Sequence, residues 1–194
     1  MRKKSHIRLA RFIVAHTVYR EFIRYRKSYY LGSILPDCTP SFITTKHNID
    51  ETFPMLKGEI RSLTRHQNQE EFSDRYFTRH LGEVLHYLAD YFTYPHNSIF
   101  TGNLKVHCSY EKQLKHRLRE FLNSPDAVKT ISSQIRPLNN TEEIIEYIVC
   151  RHRDYLKCEP SVENDCRYIL ETCFTVSEAI ARLYSRQPQL AFAA

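Results

Sequence analysis

The chain has 194 residues, only four Gly and eight Pro, and a formal net charge of +6. A chain of this length can bury a full hydrophobic core without disulfides or a partner, so we expect one domain spanning residues 1–194. Sparse turn residues between long stretches rich in Leu, Ile, Glu, Lys and Arg predict an all-α, multi-helix bundle. The basic charge suits an anionic partner, nucleic acid or phospholipid, without choosing between them.

The first predicted helix runs from a cap at Ser5 to roughly Tyr30, with apolar side chains at helical spacing and a basic face. A loop that begins at Gly32 leads toward His47. The next helix is predicted from Asp50 to Arg65, with Pro54 in its first turn.

The most regular helical pattern runs from Gln69 to Tyr94 and is ended by Pro95. A loop over residues 97–103 leads to a helix that ends at Leu122. Three more helices are predicted: Asp126 to Ile135, Thr141 to Leu156, and Ser161 to about Tyr184. An incomplete capping box, Thr141-x-x-Ile144, begins the second of these three.

Neither export nor membrane insertion is indicated by the chain. The apolar stretch near the N-terminus is cut by Arg8, Arg11 and His16, unlike the centre of a secretory signal peptide. No run of about 18 apolar residues occurs, which argues against a transmembrane helix. We therefore expect a cytoplasmic protein with six reduced Cys. Four of these, seven or eight residues apart, are predicted to be small buried residues of a helical core: Cys150, Cys158, Cys166 and Cys173.

Several His residues are followed by an acid four positions later, a spacing that places both side chains on one face of a helix. His86 pairs in this way with Asp90, and His107 with Glu111. Composition predicts about one such pair by chance, and five occur. The other three are His47/Glu51, His66/Glu70 and His116/Glu120, of which the last two are expected on solvated helix faces. His86 and Asp90 lie in an apolar run, where burial of the carboxylate calls for either a His–Asp hydrogen bond or a metal.

The order of these motifs resembles bacterial zinc-dependent phospholipase C. The similarity consists of an HxxxD pair, a Pro-His in which the His follows the Asp by six residues, and an HxxxE pair with a Tyr before the Glu. Upstream, a segment from Gly32 to Asp37 and then His47 match the same pattern. The resemblance covers roughly residues 5–115 and is specific as an ensemble.

This resemblance implies a cluster of two or three zinc ions. One ion would be surrounded by Asp37, His47, His86 and Asp90. A second would be held by His96, His107 and Glu111. The family's third ion is bound by a His near the chain start, by the terminal amine and by the Asp of the HxxxD pair as a bridge.

Two histidines compete for the third position, His6 and His16. Ten residues of helix separate them by about 15 Å, so they cannot share one ion. His6, nearer the N-terminus, is the predicted ligand, and His16 is expected to be a core histidine hydrogen-bonded to a neighbour. Should the amine fail to reach, two tight zinc ions and a weak third position would remain.

Ligation by His and carboxylate without thiolate suits catalytic zinc, which activates water and neutralises charge on a phosphate. The resemblance implies that Asp37 orients or deprotonates the attacking water. Nearby aromatic side chains could hold a choline-like cation or stack on a base, although most are expected in the core. They are Phe42, Tyr87, Tyr91, Phe92 and Tyr94.

The predicted function is that of a phospholipase C-like phosphoric ester hydrolase, acting on a phospholipid or another phosphate ester with transient contact to a membrane surface. A zinc-dependent nuclease or phosphatase is an alternative, with nucleic acid less favoured because the short step from Asp90 to His96 is closer to the phospholipase pattern. A second alternative is a non-catalytic module, in which zinc locks the helices and the basic first helix docks on a membrane or partner.

Overall fold

The computed structural model describes residues 1–39, 46–65, 73–133 and 137–186. In these ranges the chain is all-α and contains no strand, which confirms the predicted fold class. Its helices are α1 (Lys3–His16), α2 (Arg20–Arg24), α3 (Arg26–Gly32), α4 (Ile49–Thr64), α5 (Asp74–Tyr91), α6 (Leu104–Leu122), α7 (Pro125–Ser132), α8 (Thr141–Lys157) and α9 (Val162–Ser185). Two 3₁₀ turns, Pro36–Cys38 and Tyr94–His96, lie between helices. None of the helices in the described ranges is long and apolar enough to cross a membrane.

Helix α5 lies at the centre of the bundle. It packs against α1, α3, α4 and α9, and its residues Leu81, Leu85 and Leu88 are completely buried. Apolar side chains from the surrounding helices join them in one contiguous hydrophobic core. Since burial of each such side chain stabilises the fold by about 1.5–3 kcal/mol, α5 is a rigid support for any polar group that it carries inward.

The first predicted helix differs from the structure in two ways: Ser5 is not its cap, and the helix does not continue to Tyr30. Helix α1 begins at Lys3, so Ser5 lies buried within the helix and does not cap it. The chain leaves the helix at Thr17, whose backbone is extended and whose hydroxyl donates to Glu178 of α9. Tertiary packing overrides local helical preference, because the break allows α1 and α3 to pack separately against α5.

Helices α3 and α5 approach closely at two glycines. A Cβ atom on Gly32 would lie 1.9 Å from a carbonyl oxygen of α5, and one on Gly82 would lie 2.3 Å from a carbonyl oxygen of α3. A side chain at either position would force the helices apart. The close contact places the Pro36–Cys38 turn beside α5, on the side where His86 lies.

The other predicted helices are confirmed with small shifts at their ends. Helix α4 follows an Asn48 cap and starts one residue early, so Pro54 lies beyond the first turn. Helix α5 ends at Tyr91, ahead of the predicted end at Tyr94, and both Tyr94 and Pro95 belong to the second 3₁₀ turn. Residues 69–72 at the predicted start of α5, and residues 134–135 at the predicted end of α7, lie outside the described ranges.

The cap of α8 is shifted by one residue from the incomplete box predicted at Thr141. The side chain of Asn140 accepts a hydrogen bond from the backbone N–H of Glu143. In return, the Glu143 carboxylate accepts from the backbone N–H of Asn139. The exchange satisfies donors at both sides of the helix start.

All six Cys are free thiols. The prediction of four core cysteines is correct for two of them, since Cys166 and Cys173 are buried, whereas Cys150 and Cys158 are partly exposed. Helix α8 buries a stripe through Ile144 and Ile148. Cys150 lies off this stripe because it follows Ile148 by two residues, which corresponds to a rotation of about 200° around the helix axis.

Candidate metal centre

Four predicted ligands meet where the Pro36–Cys38 turn, the segment before α4 and the end of α5 converge. Their ligand atoms all lie within 4.8 Å of one another, and the residues are Asp37, His47, His86 and Asp90. His86 Nε2 lies 3.0 Å from His47 Nδ1 and 3.3 Å from Asp90 Oδ2. Asp37 Oδ1 lies 3.6 Å from the same His86 nitrogen. The spacing of His86 and Asp90 on α5 therefore brings both side chains into one buried group, as predicted.

Three more predicted ligands form a second group, contributed by the Tyr94–His96 turn and the start of α6. These are His96, His107 and Glu111, whose ligand atoms also lie within 4.8 Å of one another. Glu111 Oε1 is 3.3 Å from His96 Nε2 and 3.4 Å from His107 Nε2. Although burial opposes ionisation, hydrogen bonds from His107 and His96 hold the pKa of Glu111 below its ordinary value.

Asp90 lies between the two groups, and its two oxygens face different neighbours. Oδ2 is 3.2 Å from His47 Nδ1, and Oδ1 is 2.5 Å from the amino nitrogen of Met1. That amino nitrogen is also 3.2 Å from Glu111 Oε1 and 3.1 Å from His96 Nε2. Burial disfavours a charge at Asp90, but the amino group and His96 hold its pKa well below the ordinary value. The amine whose reach the sequence left open is thus part of the cluster.

His6 completes this polar cluster from α1. It is fully buried, its Nε2 lies 3.4 Å from Asp90 Oδ1, and its ring stacks on His86 at 4.1 Å. Neither ring nitrogen has a hydrogen-bond partner among the described residues. Burial lowers the pKa of His6 to about 3, so the imidazole is neutral. A neutral buried imidazole without hydrogen bonds is costly unless a metal takes a nitrogen.

His16 differs from the expectation of a core histidine. It is exposed at the end of α1, where its Nδ1 lies 2.8 Å from the carbonyl oxygen of Phe12 and its ring stacks on that residue. The predicted hydrogen bond to a neighbour is present, but the predicted burial is wrong. In the last turn of α1 only Ala15 and His16 are exposed, whereas Ile13 and Val14 of the same turn are buried.

Backbone carbonyls fix the orientation of two imidazoles. His86 Nδ1 lies 3.0 Å from the carbonyl oxygen of Ser33, and His96 Nδ1 lies 3.3 Å from that of His47. Because a carbonyl oxygen only accepts, each Nδ1–H donates and each Nε2 is free to bind a metal. Ser33 was missed by the sequence reasoning, since a backbone group leaves no signal in the residue type.

The side chain of Asn97 forms hydrogen bonds that hold the backbone on either side of His96 in place. Its Nδ2 donates to the carbonyl oxygens of Tyr91 and Thr93, and its Oδ1 lies 2.8 Å from His152 Nε2 of α8. Burial lowers the pKa of His152, and its Nε2–H donates, because the amide oxygen of Asn97 can only accept. His152 is thus a structural histidine, remote from the predicted ligands in sequence.

A cavity of about 540 Å³ opens beside both groups. The wall of the cavity includes the predicted ligands His47, His96 and His107, next to Lys46, Asp50 and Phe100. This volume is in the range of small-molecule binding sites. The candidate metal positions therefore border a space large enough for a phosphate and its substituents.

The geometry and donor types fit zinc. Tetrahedral zinc with nitrogen and oxygen ligands at about 2.0–2.2 Å separates those ligand atoms by roughly 3.3–3.6 Å. In the first group, the distances that involve His47 or His86 range from 3.0 Å, between these two residues, to 3.8 Å, between His47 and Asp37. The unpartnered nitrogens of His6 add an unsatisfied site of the same chemistry.

Other predicted residues lie around or away from this centre. The Tyr87 ring is edge-on to His47 at 5.1 Å, Tyr94 is half-buried, and Tyr91 and Phe92 are fully buried in the core. His116 and Glu120 are exposed, as predicted. Phe42, His66 and Glu70 lie outside the described ranges.

Comparison with known families agrees with this arrangement. The family model described as zinc dependent phospholipase C matches residues 5–162. The match includes every side chain predicted as a ligand and ends at the first residue of α9. No curated protein and no solved structure matches the chain.

Proposed function

Because the chain belongs to the zinc-dependent phospholipase C family, we propose that it hydrolyses a phosphodiester bond of a glycerophospholipid with the help of two or three zinc ions. The products would be diacylglycerol and a phosphorylated head group. The single observation that carries the proposal is the position of Asp90, whose carboxylate lies between two groups of metal-binding side chains.

The proposed ligands divide into three sets, and the first and third of these share the Asp90 carboxylate. The first ion is assigned to Asp37, His47, His86 and Asp90, and the second to His96, His107 and Glu111. A third is assigned to His6, the Met1 amine and Asp90. When bound, zinc supplies Lewis-acid chemistry, which lowers the pKa of water and neutralises charge on a phosphate.

Asp37 is the residue to which we assign proton transfer. Its carboxylate lies next to His47 and His86, while its position on a short turn leaves the residue less enclosed than those of α5. In the proposed reaction Asp37 accepts a hydrogen bond from the attacking water and removes its proton. The oxygen then bonds to phosphorus as the bond from phosphorus to the glycerol oxygen breaks, and the departing oxygen takes up a proton from solvent to become the hydroxyl of diacylglycerol.

The cavity next to the centre would receive the head group. Lys46 can contact phosphate oxygens, whereas Asp50 can accept a hydrogen bond from a hydroxyl or an amine of the substrate. Phe100 contributes an apolar wall. Such a mixed lining suits a polar head group that is attached to an apolar chain.

The proposal is tested by a panel of esters offered to zinc-replete protein: bis-p-nitrophenyl phosphate, p-nitrophenyl phosphate, a short-chain phosphatidylcholine and single-stranded DNA. We expect turnover of the first and third. Preference for the monoester would support the phosphatase alternative, and preference for DNA would support the nuclease. Intact zinc without turnover on any ester would contradict the enzyme proposal and favour a structural, partner-binding module.

The cytoplasmic location and the transient membrane contact stay predictions. A phospholipase C in that compartment would meet the membrane of its own cell, so a narrow substrate range or a soluble ester is part of the proposal. Comparison of a soluble short-chain lipid with vesicles of the same head group tests this point, since only the vesicles require contact with a membrane surface.

A further inference from the structure

We propose that Asp165 is a positioning residue for the second metal group. It lies on α9, and only the first residue of this helix, Val162, falls within the range that the family model matches. Asp165 lies in α9, is completely buried, and has no place among the candidate ligands. The inference rests on the proposed zinc centre. It identifies the carboxylate of Asp165 as the group that keeps the Tyr94–His96 turn and α6 in position relative to each other.

One oxygen of Asp165 connects both segments. Oδ2 accepts a hydrogen bond from the backbone N–H of Tyr94 at 3.0 Å and another from the hydroxyl of Tyr110 at 3.0 Å. Tyr94 begins the 3₁₀ turn that carries His96, and Tyr110 immediately precedes Glu111 in α6. The carboxylate therefore fixes the distance between the two elements whose side chains meet at Glu111 Oε1.

The other oxygen anchors Asp165 itself. Oδ1 accepts a hydrogen bond at 2.7 Å from the hydroxyl of Tyr155, a residue of α8 that lies far from the ligands in sequence. With three donors on two oxygens, the carboxylate is held from three elements at once. Buried hydrogen bonds to a carboxylate are short and directional, and the two at Oδ2 are the ones that reach the ligand-bearing segments.

This arrangement offers a matched pair of variants. Tyr110→Phe and Tyr155→Phe each delete one hydroxyl that donates to Asp165, but only Tyr110 adjoins a proposed ligand. A role confined to stability predicts that both variants lose stability and bind zinc equally well. A positioning role predicts a difference between the two in zinc affinity.

The experiment is a competition titration of metal-free protein with zinc against a chelator of known affinity, combined with thermal melting. For Tyr110→Phe and Asp165→Ala we expect one zinc per chain to bind about 10–100-fold more weakly, the usual scale for loss of a group that orients a ligand. The remaining zinc should bind as in the wild type. Tyr155→Phe should melt at a lower temperature with wild-type zinc affinities.

His107→Ala supplies the reference profile, because it removes a proposed ligand of the second group directly. The affinity class that weakens in Tyr110→Phe should be the one that weakens in His107→Ala. Equal zinc affinities in Tyr110→Phe and wild type would overturn the inference, as would equal losses in the two phenylalanine variants. Tyr110→Phe keeps the test decisive if Asp165→Ala does not fold.

The zinc titration separates this inference from the proposed hydrolysis. Wild-type protein that binds zinc without cleaving any ester would contradict the proposed function and leave the role of Asp165 intact. Conversely, normal zinc binding by Tyr110→Phe in a protein that hydrolyses esters would contradict only the positioning role.

Discussion

Replacement of Asp90 by Asn tests the candidate metal centre at the residue that contacts most of its other members. Asp90 is fully buried and lies within 3.4 Å of His6, His47, His86 and the amino nitrogen of Met1. An amide keeps the size of the side chain but removes its negative charge. We therefore expect Asp90→Asn to lose zinc more completely than any other single ligand change, because the carboxylate is assigned to two ions.

The metal-free protein should also be destabilised. Without Asp90 the Met1 amino group, whose pKa is raised despite burial because of Asp90 and Glu111, loses its nearest counter-charge. Removal of one partner of a buried ion pair costs about 3–5 kcal/mol. For a chain of this size, 1 kcal/mol corresponds to a shift of about 2–4 °C in melting temperature. The expected decrease is therefore about 6–20 °C.

The assay is thermal melting with and without a chelator, beside zinc analysis of the purified protein. Asp126→Asn is the matched control, because Asp126 is an exposed residue of α7 whose contact is an ion pair with Lys129; it should leave both zinc content and melting unchanged. If Asp90→Asn keeps full zinc and full activity, the bridging role is refuted.

Three further predictions follow from other positions. Asp37→Asn should keep the fold and most of its zinc while turnover falls by about 10²-fold or more; steady-state kinetics beside zinc analysis checks this, and unimpaired turnover would remove its proton-transfer role. His116→Ala should change stability by less than about 0.5 kcal/mol because the side chain is exposed, whereas His6→Ala should lose one zinc; a zinc loss in His116→Ala would contradict the ligand assignment. Burial raises the pKa of Asp165 to about 6. Between roughly pH 4 and 6 the folded chain therefore binds more protons than the unfolded chain. The contribution of Asp165 to the free energy of unfolding should decrease by about 3 kcal/mol as pH rises through that window. Denaturant titrations of both proteins check this: the difference in the free energy of unfolding between the wild type and Asp165→Asn should change by about 3 kcal/mol across that window, and a difference that does not vary with pH would contradict it.

The side chains that meet in the candidate metal centre could be selected from the sequence because their order in the chain is distinctive. His86 and Asp90 stand four residues apart on a helix that could be recognised from its period, and the structure brings them together with Asp37 and His47. The spacing alone left a metal and a simple hydrogen bond open. Only the succession of motifs favoured zinc, and the family match over residues 5–162 supports that interpretation.

The groups that contact the candidate ligands or their segments from distant parts of the chain could not be predicted. Ser33 acts through its backbone carbonyl, so its residue type carries no information. Asp165 meets Tyr94 across 71 residues of chain, and such a long-range contact has no local pattern. The break at Thr17 has the same cause, since the contact with Glu178 of α9 depends on tertiary packing. By contrast, the cap formed by Asn140 and Glu143 was readable from neighbouring residues, and the prediction placed it one residue late.

The central claim, a zinc-dependent ester hydrolase, is tested most directly by restoring zinc to metal-free protein while turnover of bis-p-nitrophenyl phosphate is followed. We expect no turnover without metal, and an increase that reaches its plateau at two to three equivalents of zinc per chain. Turnover that does not respond to zinc, or a zinc-replete protein that leaves the diester intact, would contradict the account.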